Sequence, residues 1–156
     1  MSGDVQLRFC QRLGLVIGFE SRTEAERFLA TFRERLAKFG LQLHAEKTRL
    51  IEFGKHGERI RKQRGQGKPE TFTFLGFTHY CGRRRSNGTF IVWRKTAKEW
   101  MVAKLRGIKA VLVRRRHDPS AQVGEWLKKV VQGYYQYHAV PGNLSHSAFR
   151  HRLCRL

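Results

Sequence analysis

The sequence is poor in acidic residues. Only 12 of its 156 residues are Asp or Glu, against 32 Lys or Arg, so the formal net charge is +20 at pH 7 and the pI is near 11.1. A charge of this size makes the compact state repel itself, and a polyanionic partner relieves that repulsion. An acidic membrane surface is the alternative partner, but the sequence has neither a lipid-anchoring motif nor a basic amphipathic terminal helix. The composition therefore predicts a nucleic-acid-binding protein.

Cysteines are few and scattered. Cys10, Cys81 and Cys154 are odd in number and form no Cys-x-x-Cys motif, so neither a disulfide framework nor a structural zinc site is predicted. His79 and Cys81 would supply only half of a metal site, and a single His and Cys on a strand are more often packing residues. We expect no metal ligands in the chain.

Long apolar runs are also absent. Nothing approaches the roughly 18 to 20 consecutive apolar residues of a membrane span, and the N-terminus lacks the apolar run of a signal peptide. The expected location is the cytoplasm, with no membrane partner. Forty per cent apolar residues and 12% aromatics are typical of a folded protein, and the length fits one domain or one and a half small ones.

The N-terminal half begins with residues that show no clear pattern up to Leu13. Leu15–Phe19 has the composition of a buried strand. Ser21 and Glu24 then have capping-box spacing, which predicts a helix that ends at Gly40. The apolar residues that follow at helical spacing, and so are predicted to face inward, are Ala25, Phe28, Leu29, Phe32, Leu36 and Phe39.

The stretch after this helix predicts a small sheet interrupted by basic segments. Alternation of apolar and polar residues predicts short strands at Leu41–Leu43 and Leu50–Phe53, with Lys47 in the polar corner between them. Residues 55–69 carry Lys, Arg and Gly with almost no apolar residues. They are predicted to form a loop, either solvated or in contact with phosphates.

Two further strands are predicted at Phe72–Cys81 and Thr89–Arg94. They flank Arg83–Gly88, where the Asn-Gly pair is a strong hairpin signal and three arginines are hard to explain as packing. Gly76 lets the backbone bend within the first of these strands.

From Lys95 the pattern becomes helical and predicts three helices. Asp118–Ser120 separates the first helix from the second, Pro141 and Gly142 end the second, and the third begins near Asn143 or Ser145. The inward-facing residues are predicted to be Trp100, Ala103, Leu105, Ile108, Val111 and Leu112 in the first helix, Val123, Trp126, Leu127, Val130, Val131, Tyr134 and Tyr137 in the second, and Phe149 and Leu153 in the third.

Several separated motifs occur in an order that closely resembles group II intron-encoded reverse transcriptases, also called maturases. The resemblance runs from about Leu15 to Leu156. The motifs are Gly40-Leu-Gln-Leu43, Lys47-Thr48, Lys68-Pro-Glu-Thr-Phe72, Phe74-Leu-Gly-Phe77, Gly124-x-Trp126-Leu, Gly133-Tyr-Tyr-x-Tyr137 and Ala139-Val-Pro-Gly-Asn143.

The resemblance implies an α+β fold in two parts. Residues 1–94 would form a remnant of the reverse transcriptase palm, a small antiparallel sheet with one amphipathic helix. Residues 95–156 would form the α-helical thumb, or maturase-specific X domain. The family's third thumb helix continues further than the one here, which implies a truncated helix and an exposed apolar face.

The resemblance also implies that polymerase chemistry is missing. The family holds two Mg²⁺ ions with carboxylates that include a Tyr-Ala-Asp-Asp hairpin just before the strand matched by Leu15–Phe19. At that position the chain has Gln11-Arg-Leu-Gly14, and its only aspartates are Asp4 and Asp118. We therefore expect no cofactor in the isolated chain, no polymerase activity, and at most a vestigial catalytic role for Lys47.

RNA binding is the function that would survive this loss, with structured RNA, above all group II intron RNA, as the partner. Phe74, Leu75, Gly76 and Phe77 resemble the family's primer grip, although core packing explains the apolar members equally well. Tyr134, Tyr135 and Tyr137 are candidates for stacking on bases, with two of the three expected inside. The candidate RNA-binding cations are Lys55, Arg59, Arg61, Lys62, Arg64, Lys68, Arg83, Arg84, Arg85, Arg94, Lys95, Arg114, Arg115 and Arg116.

Two alternatives stay open from the sequence. The chain is one piece of a split RNA-directed DNA polymerase, whose complementing fragment supplies the metal site, or it is a decayed mobile-element fragment without function. A cooperative melt would argue against the second alternative.

Overall fold

A computed structural model describes residues 6–10, 15–45, 48–143 and 145–156 of the chain. These residues form a mixed α/β structure with five helices and two three-stranded sheets. They divide into two compact units. The first unit takes the described residues up to Leu75 together with His79–Trp93, and the second takes Gly76–Thr78 together with Arg94–Leu156.

The elements alternate in the first unit and become purely helical after the last strand. Their bounds are β1 Gln6–Cys10, β2 Leu15–Phe19, α1 Arg22–Ala37, β3 Thr48–Glu52, α2 Lys55–Gln63, β4 Phe72–Phe74, β5 Phe77–Arg83, β6 Phe90–Thr96, α3 Lys98–Arg114, α4 Ser120–His138 and α5 Ser145–Leu153.

The first sheet has the order β2-β1-β3, with β1 antiparallel to both neighbours. Leu7 of β1 lies opposite Gly18 of β2 on one side and opposite Ile51 of β3 on the other. The sequence pattern did not predict β1, although this strand is the centre of the sheet. Its pairing on both edges supplies the hydrogen bonds that hold it as a strand without a clear alternation of residues.

Helix α1 begins as the capping-box spacing predicts. The Ser21 hydroxyl accepts a hydrogen bond from the Glu24 amide at 3.1 Å, which satisfies one of the unpaired donors of the first turn. Ala25 is fully buried, and the Phe28 ring lies 5.2 Å from the Phe19 ring of β2. The helix therefore packs against the sheet through the apolar face that its sequence predicts.

The end of α1 confirms the predicted role of Gly40, whose φ is +68°. The Gly40 amide donates to the Ala37 carbonyl at 3.0 Å, and the Leu41 amide donates to the Leu36 carbonyl at 3.0 Å. These are the two bonds of a Schellman motif. The prediction that Phe39 faces inward is wrong, because its side chain is 73% exposed beyond the last helical turn.

The predicted strand at Leu41–Leu43 is also wrong, since residues 41–44 form neither strand nor helix. The Leu41 amide is used to close α1, and its side chain is 56% exposed, so the alternation here does not mark a buried face. The next predicted strand is confirmed as β3, where Ile51 is buried, and Phe53 is buried just after the strand.

Residues 55–63 form helix α2, where a loop was predicted. Their sequence, Lys-His-Gly-Glu-Arg-Ile-Arg-Lys-Gln, is rich in good helix formers, so a helix needs little apolar surface to form there. Gly54 precedes the helix with a φ of +98°. A Cβ on buried Gly57 would lie 3.1 Å from the Glu52 backbone, so this glycine allows α2 to approach the end of β3 closely.

The second sheet has the order β4-β5-β6 and contains two tight connections. Leu75 and Gly76 join β4 to β5 with φ values of +47° and +75°, which is the backbone sign of a type I′ turn. The predicted hairpin between β5 and β6 is confirmed. The Arg84 amide donates to the Thr89 carbonyl at 2.9 Å, and Asn87 Oδ1 accepts from the Thr89 hydroxyl at 2.7 Å.

The second unit contains the three helices that the sequence predicts, with a core between them. At the centre of this core the Tyr134 ring stacks on the Phe149 ring, with 3.6 Å between the ring centres. The buried members are Met101, Leu105, Ile108, Tyr134 and Phe149, and the half-buried residues packed around them are Leu112, Trp126, Leu127, Val130, Tyr135 and Leu153. Trp100, Ala103 and Tyr137 were predicted to face inward but are exposed.

A buried polar cluster closes the same unit around Asn143, which is 2% exposed. Its Nδ2 donates to the Thr96 hydroxyl at 2.9 Å and to the His138 carbonyl at 2.7 Å. Its Oδ1 accepts from the Thr96 amide at 3.2 Å and from the Ser145 amide at 3.1 Å. One side chain thus links the end of β6, the end of α4 and the start of α5.

Candidate nucleic-acid interface

Helix α2 carries most of the first predicted set of cations, and it divides them between two surfaces. We call the first surface the paired face, because its arginines are held by carboxylates. Arg64 Nη1 lies 3.0 Å from Glu52 Oε1, and Arg61 Nη1 lies 4.0 Å from Glu70 Oε1. Arg49 Nη2 completes the network at 2.6 Å from Glu70 Oε2. The two carboxylates therefore offset part of the positive charge of these three arginines.

We call the second surface the cavity face. Lys55, Arg59 and Lys62 lie at positions i, i+4 and i+7 of α2, which places them on one side of the helix. They line a cavity of about 900 Å³ between α2 and the β5–β6 hairpin. The residues that line this cavity are Lys55, His56, Glu58, Arg59, Lys62, Arg83, Gly88, Thr89 and Phe90.

The cavity is strongly cationic. Among the residues that the structure describes, no carboxylate lies within ion-pair distance of Lys55, Arg59 or Lys62. Arg83 enters from the hairpin, where its Nη2 lies 3.4 Å from Glu58 Oε2 and its Nη1 donates to the Gly88 carbonyl at 3.4 Å. Four Lys or Arg side chains therefore share the cavity with the single carboxylate of Glu58.

The other predicted cations of the first unit are exposed. Arg84 and Arg85 lie at the tip of the hairpin, next to Arg83, and Lys68 lies in the segment between α2 and β4. The hairpin thus brings its three predicted arginines to one place. Arg94 and Lys95 lie on β6 and belong to the second unit.

The predicted arginines after α3 differ in their surroundings. Arg114 is exposed in the last turn of the helix. The Arg115 guanidinium lies 5.5 Å from the centre of the Trp126 ring, within the range of a cation–π contact. Arg116 Nε donates to His117 Nε2 at 2.9 Å. Arg115 Nε also lies 3.9 Å from Asp118 Oδ2, so its charge is partly offset, whereas Arg114 and Arg116 are exposed.

The residues that resemble a primer grip form the tight turn between β4 and β5. Leu75 is 61% exposed at a positive φ, while Phe77 is buried and Phe74 is half-buried. A Cβ on Gly76 would lie 3.4 Å from the Trp100 ring, an ordinary van der Waals distance, so it is the φ of +75° that favours glycine here. An apolar side chain is therefore presented to solvent at a strained backbone position.

The three tyrosines proposed for base stacking do not form one platform. Tyr134 is buried in the core, Tyr135 is half-buried, and Tyr137 is 47% exposed. The Tyr137 ring also stacks at 5.6 Å on the ring of Phe77. The expectation that two of the three pack inside is confirmed, which leaves Tyr137 as the accessible ring.

The catalytic and metal-binding predictions concern few of the residues that the structure describes. Lys47 and residues 11–14 lie outside the described part of the chain. His79 stacks on Phe72 with 4.8 Å between ring centres, and Cys81 Sγ accepts a hydrogen bond from the Gly54 amide at 3.4 Å. Burial raises the pKa of the Cys81 thiol. Within the described ranges, no three His, Cys, Asp or Glu side chains are grouped as metal ligands.

Comparisons with known protein families, with curated proteins and with solved structures found no match. For residues 6–10, 15–45, 48–143 and 145–156, no helix combines the length and the apolar character that a membrane crossing requires.

The sequence pattern identified the basic residues but not the division of α2 into two surfaces. That division follows from helical spacing, because Arg59 and Lys62 are three residues apart and Arg61 and Arg64 are three apart on another side. A helix prediction for residues 55–63 would have shown it. Pairing with Glu70 was not visible, because this contact depends on the tertiary structure.

Proposed function

We propose that this chain binds structured RNA through the cavity face of α2 and the arginines of the β5–β6 hairpin. The observation that carries the proposal is the cationic cavity of about 900 Å³, in which Lys55, Arg59 and Lys62 have no carboxylate partner among the described residues. Unpaired cations on one helix face repel each other, and a polyanion removes that repulsion.

The chemistry of the cavity favours phosphate groups over bases. Lys and Arg side chains bind phosphate oxygens without reading sequence, and RNA is recognised largely through its shape and its backbone. The cavity lies beside an exposed hairpin tip with two more arginines, so the basic surface continues beyond it. A backbone that follows this surface would contact phosphates at several points.

The motif resemblance supports group II intron RNA as the particular partner. We place the chain in the lineage of the group II intron reverse transcriptases, as a palm remnant and thumb that retain RNA binding. On this proposal the purified chain incorporates no labelled nucleotide on a primed template, because residues 11–14 replace the family's Tyr-Ala-Asp-Asp sequence.

The test of the proposed function is a titration of the purified chain against a group II intron RNA and a length-matched unrelated RNA. At near-physiological salt we expect the intron RNA to bind about tenfold more tightly, which is about 1.4 kcal/mol of discrimination. Equal affinities for the two RNAs would mean that only the net charge of +20 acts, and would refute recognition of intron shape.

Salt dependence tests the phosphate contacts separately. The affinity should fall steeply with added salt, since each phosphate contact releases counterions. Replacing Arg83, Arg84 and Arg85 by Gln should flatten the slope of log affinity against log salt by up to about 3 units. A salt-independent affinity would contradict the proposal.

A further inference from the structure

Among the described residues that line the cavity, Glu58 is the only one with a carboxylate. Its Oε2 lies 3.4 Å from Arg83 Nη2, which is longer than the roughly 2.7–2.9 Å of a tight charge-assisted hydrogen bond. On the paired face the Arg49–Glu70 and Arg64–Glu52 contacts are shorter, at 2.6 Å and 3.0 Å, whereas Arg61–Glu70 measures 4.0 Å. The cavity therefore contains an ion pair that is looser than two of the three pairs on the paired face.

Glu58 is also placed among the unpaired cations of α2. It follows Lys55 by three residues and precedes Lys62 by four, so its charge lies on the same side of the helix as theirs. In the free protein this single negative charge offsets part of the repulsion between the cations. It also gives the Arg83 guanidinium an anionic partner across the cavity.

We infer that Glu58 occupies the position of a phosphate group in the free protein, and that a phosphodiester of bound RNA displaces it from Arg83. The inference rests on the proposed function. A carboxylate and a phosphate offer similar oxygen acceptors to the planar fork of an arginine, so the two anions compete for the same donors. When neighbouring phosphates of the same RNA strand bind as well, they contact Arg59 and Lys62.

This competition has a measurable consequence for affinity. The wild-type chain must separate Arg83 from Glu58 before Arg83 contacts RNA, and the displaced carboxylate then lies close to a phosphate. Glu58 thus weakens binding to any polyanion that engages the cavity through a single group. Removing its charge lets Arg83 contact the phosphate without breaking this ion pair, and it also removes the repulsion between the carboxylate and the phosphate.

The experiment compares Glu58→Gln with Glu125→Gln, which removes one carboxylate from the exposed surface of α4, where Glu125 lies 4.0 Å from Lys128. Affinities for the same structured RNA are measured between about 50 and 200 mM salt. E58Q should bind more tightly than wild type and steepen the log-log slope by up to about 0.9 units. Its advantage should therefore shrink about threefold over this range, while E125Q keeps the wild-type slope.

A double-mutant cycle with Arg83→Gln locates the effect. In the R83Q background, E58Q should gain less affinity than it gains in the wild-type background, because the part of its effect that comes from releasing the guanidinium is absent. Equal effects of E58Q and E125Q in the wild-type background would overturn the inference while leaving RNA binding intact. If the wild-type chain itself shows no salt-dependent RNA binding, the proposed function fails instead. Thermal melts of all variants check that their folds are unchanged.

Discussion

The buried side chain of Asn143 should be one of the most costly in the second unit to remove. Its four hydrogen bonds reach the Thr96 amide and hydroxyl, the His138 carbonyl and the Ser145 amide. Asn143→Ala removes these four hydrogen bonds at once. It leaves polar groups of Thr96 and His138, both 4% exposed, without the partner that satisfies them in a site closed to water.

The expected magnitude follows from these bonds. Each intramolecular hydrogen bond contributes about 0.5–1.5 kcal/mol net, and a buried group left without its partner costs about 1–3 kcal/mol. The bond to the Ser145 amide also satisfies a donor of the first turn of α5 that has no partner within the helix, as a capping bond does, and such bonds are usually worth about 1 kcal/mol. We expect Asn143→Ala to lower the free energy of unfolding by about 3 kcal/mol, or about 6–12 °C in Tm.

Urea unfolding followed by circular dichroism measures this loss. Asn87→Ala is the matched control, because Asn87 is exposed in the hairpin, where its Oδ1 accepts from the Thr89 amide and hydroxyl. It should cost less than about 1 kcal/mol. Thr96→Val removes one acceptor of the cluster and should fall between the two. A loss for Asn143→Ala no larger than that for Asn87→Ala would refute the reasoning.

Three further predictions concern the same unit and its connection to β4. Burial lowers the pKa of His138 below 6.5, so the folded state favours the neutral ring. The unfolded state therefore binds a proton more readily, and the free energy of unfolding should fall as the pH drops below about 6.5. His138→Phe should remove this part of the pH profile of urea midpoints. Gly76→Ala should lower the unfolding free energy by about 1–2 kcal/mol, because the φ of +75° is strained for a residue with a Cβ. At the neighbouring position, Leu75→Gly should leave stability unchanged or raise it by up to about 1 kcal/mol, because it relieves a φ of +47°. Losses of equal size for both turn variants would contradict the backbone explanation.

Local chemistry made most helices predictable from the sequence. The Ser21 cap and the Gly40 stop define α1, and the apolar spacing after Lys95 defines α3, α4 and α5. These signals act within a few residues of the chain, so they need no tertiary information. The Asn87–Gly88 pair marked the second hairpin for the same reason.

The failures of prediction have tertiary causes. Strand β1 is fixed by pairing with β2 and β3 at once, which no local pattern reports. Helix α2 packs closely on β3 through Gly57. The basic composition of this segment predicted a loop instead of a helix. The alternation at Leu41–Leu43 was misleading because it follows a helix cap and lies at the surface.

The candidate site was predictable in composition but not in detail. Charge alone placed Arg61 and Arg64 with Arg59 and Lys62 in one set of RNA-binding residues. The structure separates them, because the first pair is held by carboxylates and the second lines the cavity. That separation depends on contacts made by Glu52 of β3 with Arg64 and by Glu70 of the segment before β4 with Arg61.

The most direct test of RNA binding at the cavity is a titration of one structured RNA with two double variants, over a range of salt. Arg59→Gln with Lys62→Gln removes two cavity charges, and Lys104→Gln with Lys109→Gln removes two exposed charges from α3. The cavity variant should flatten the log-log salt slope by up to about 2 units and the α3 variant by clearly less. Equal losses of affinity and slope in the two variants would contradict a binding site at the cavity and leave only the overall charge to explain RNA binding.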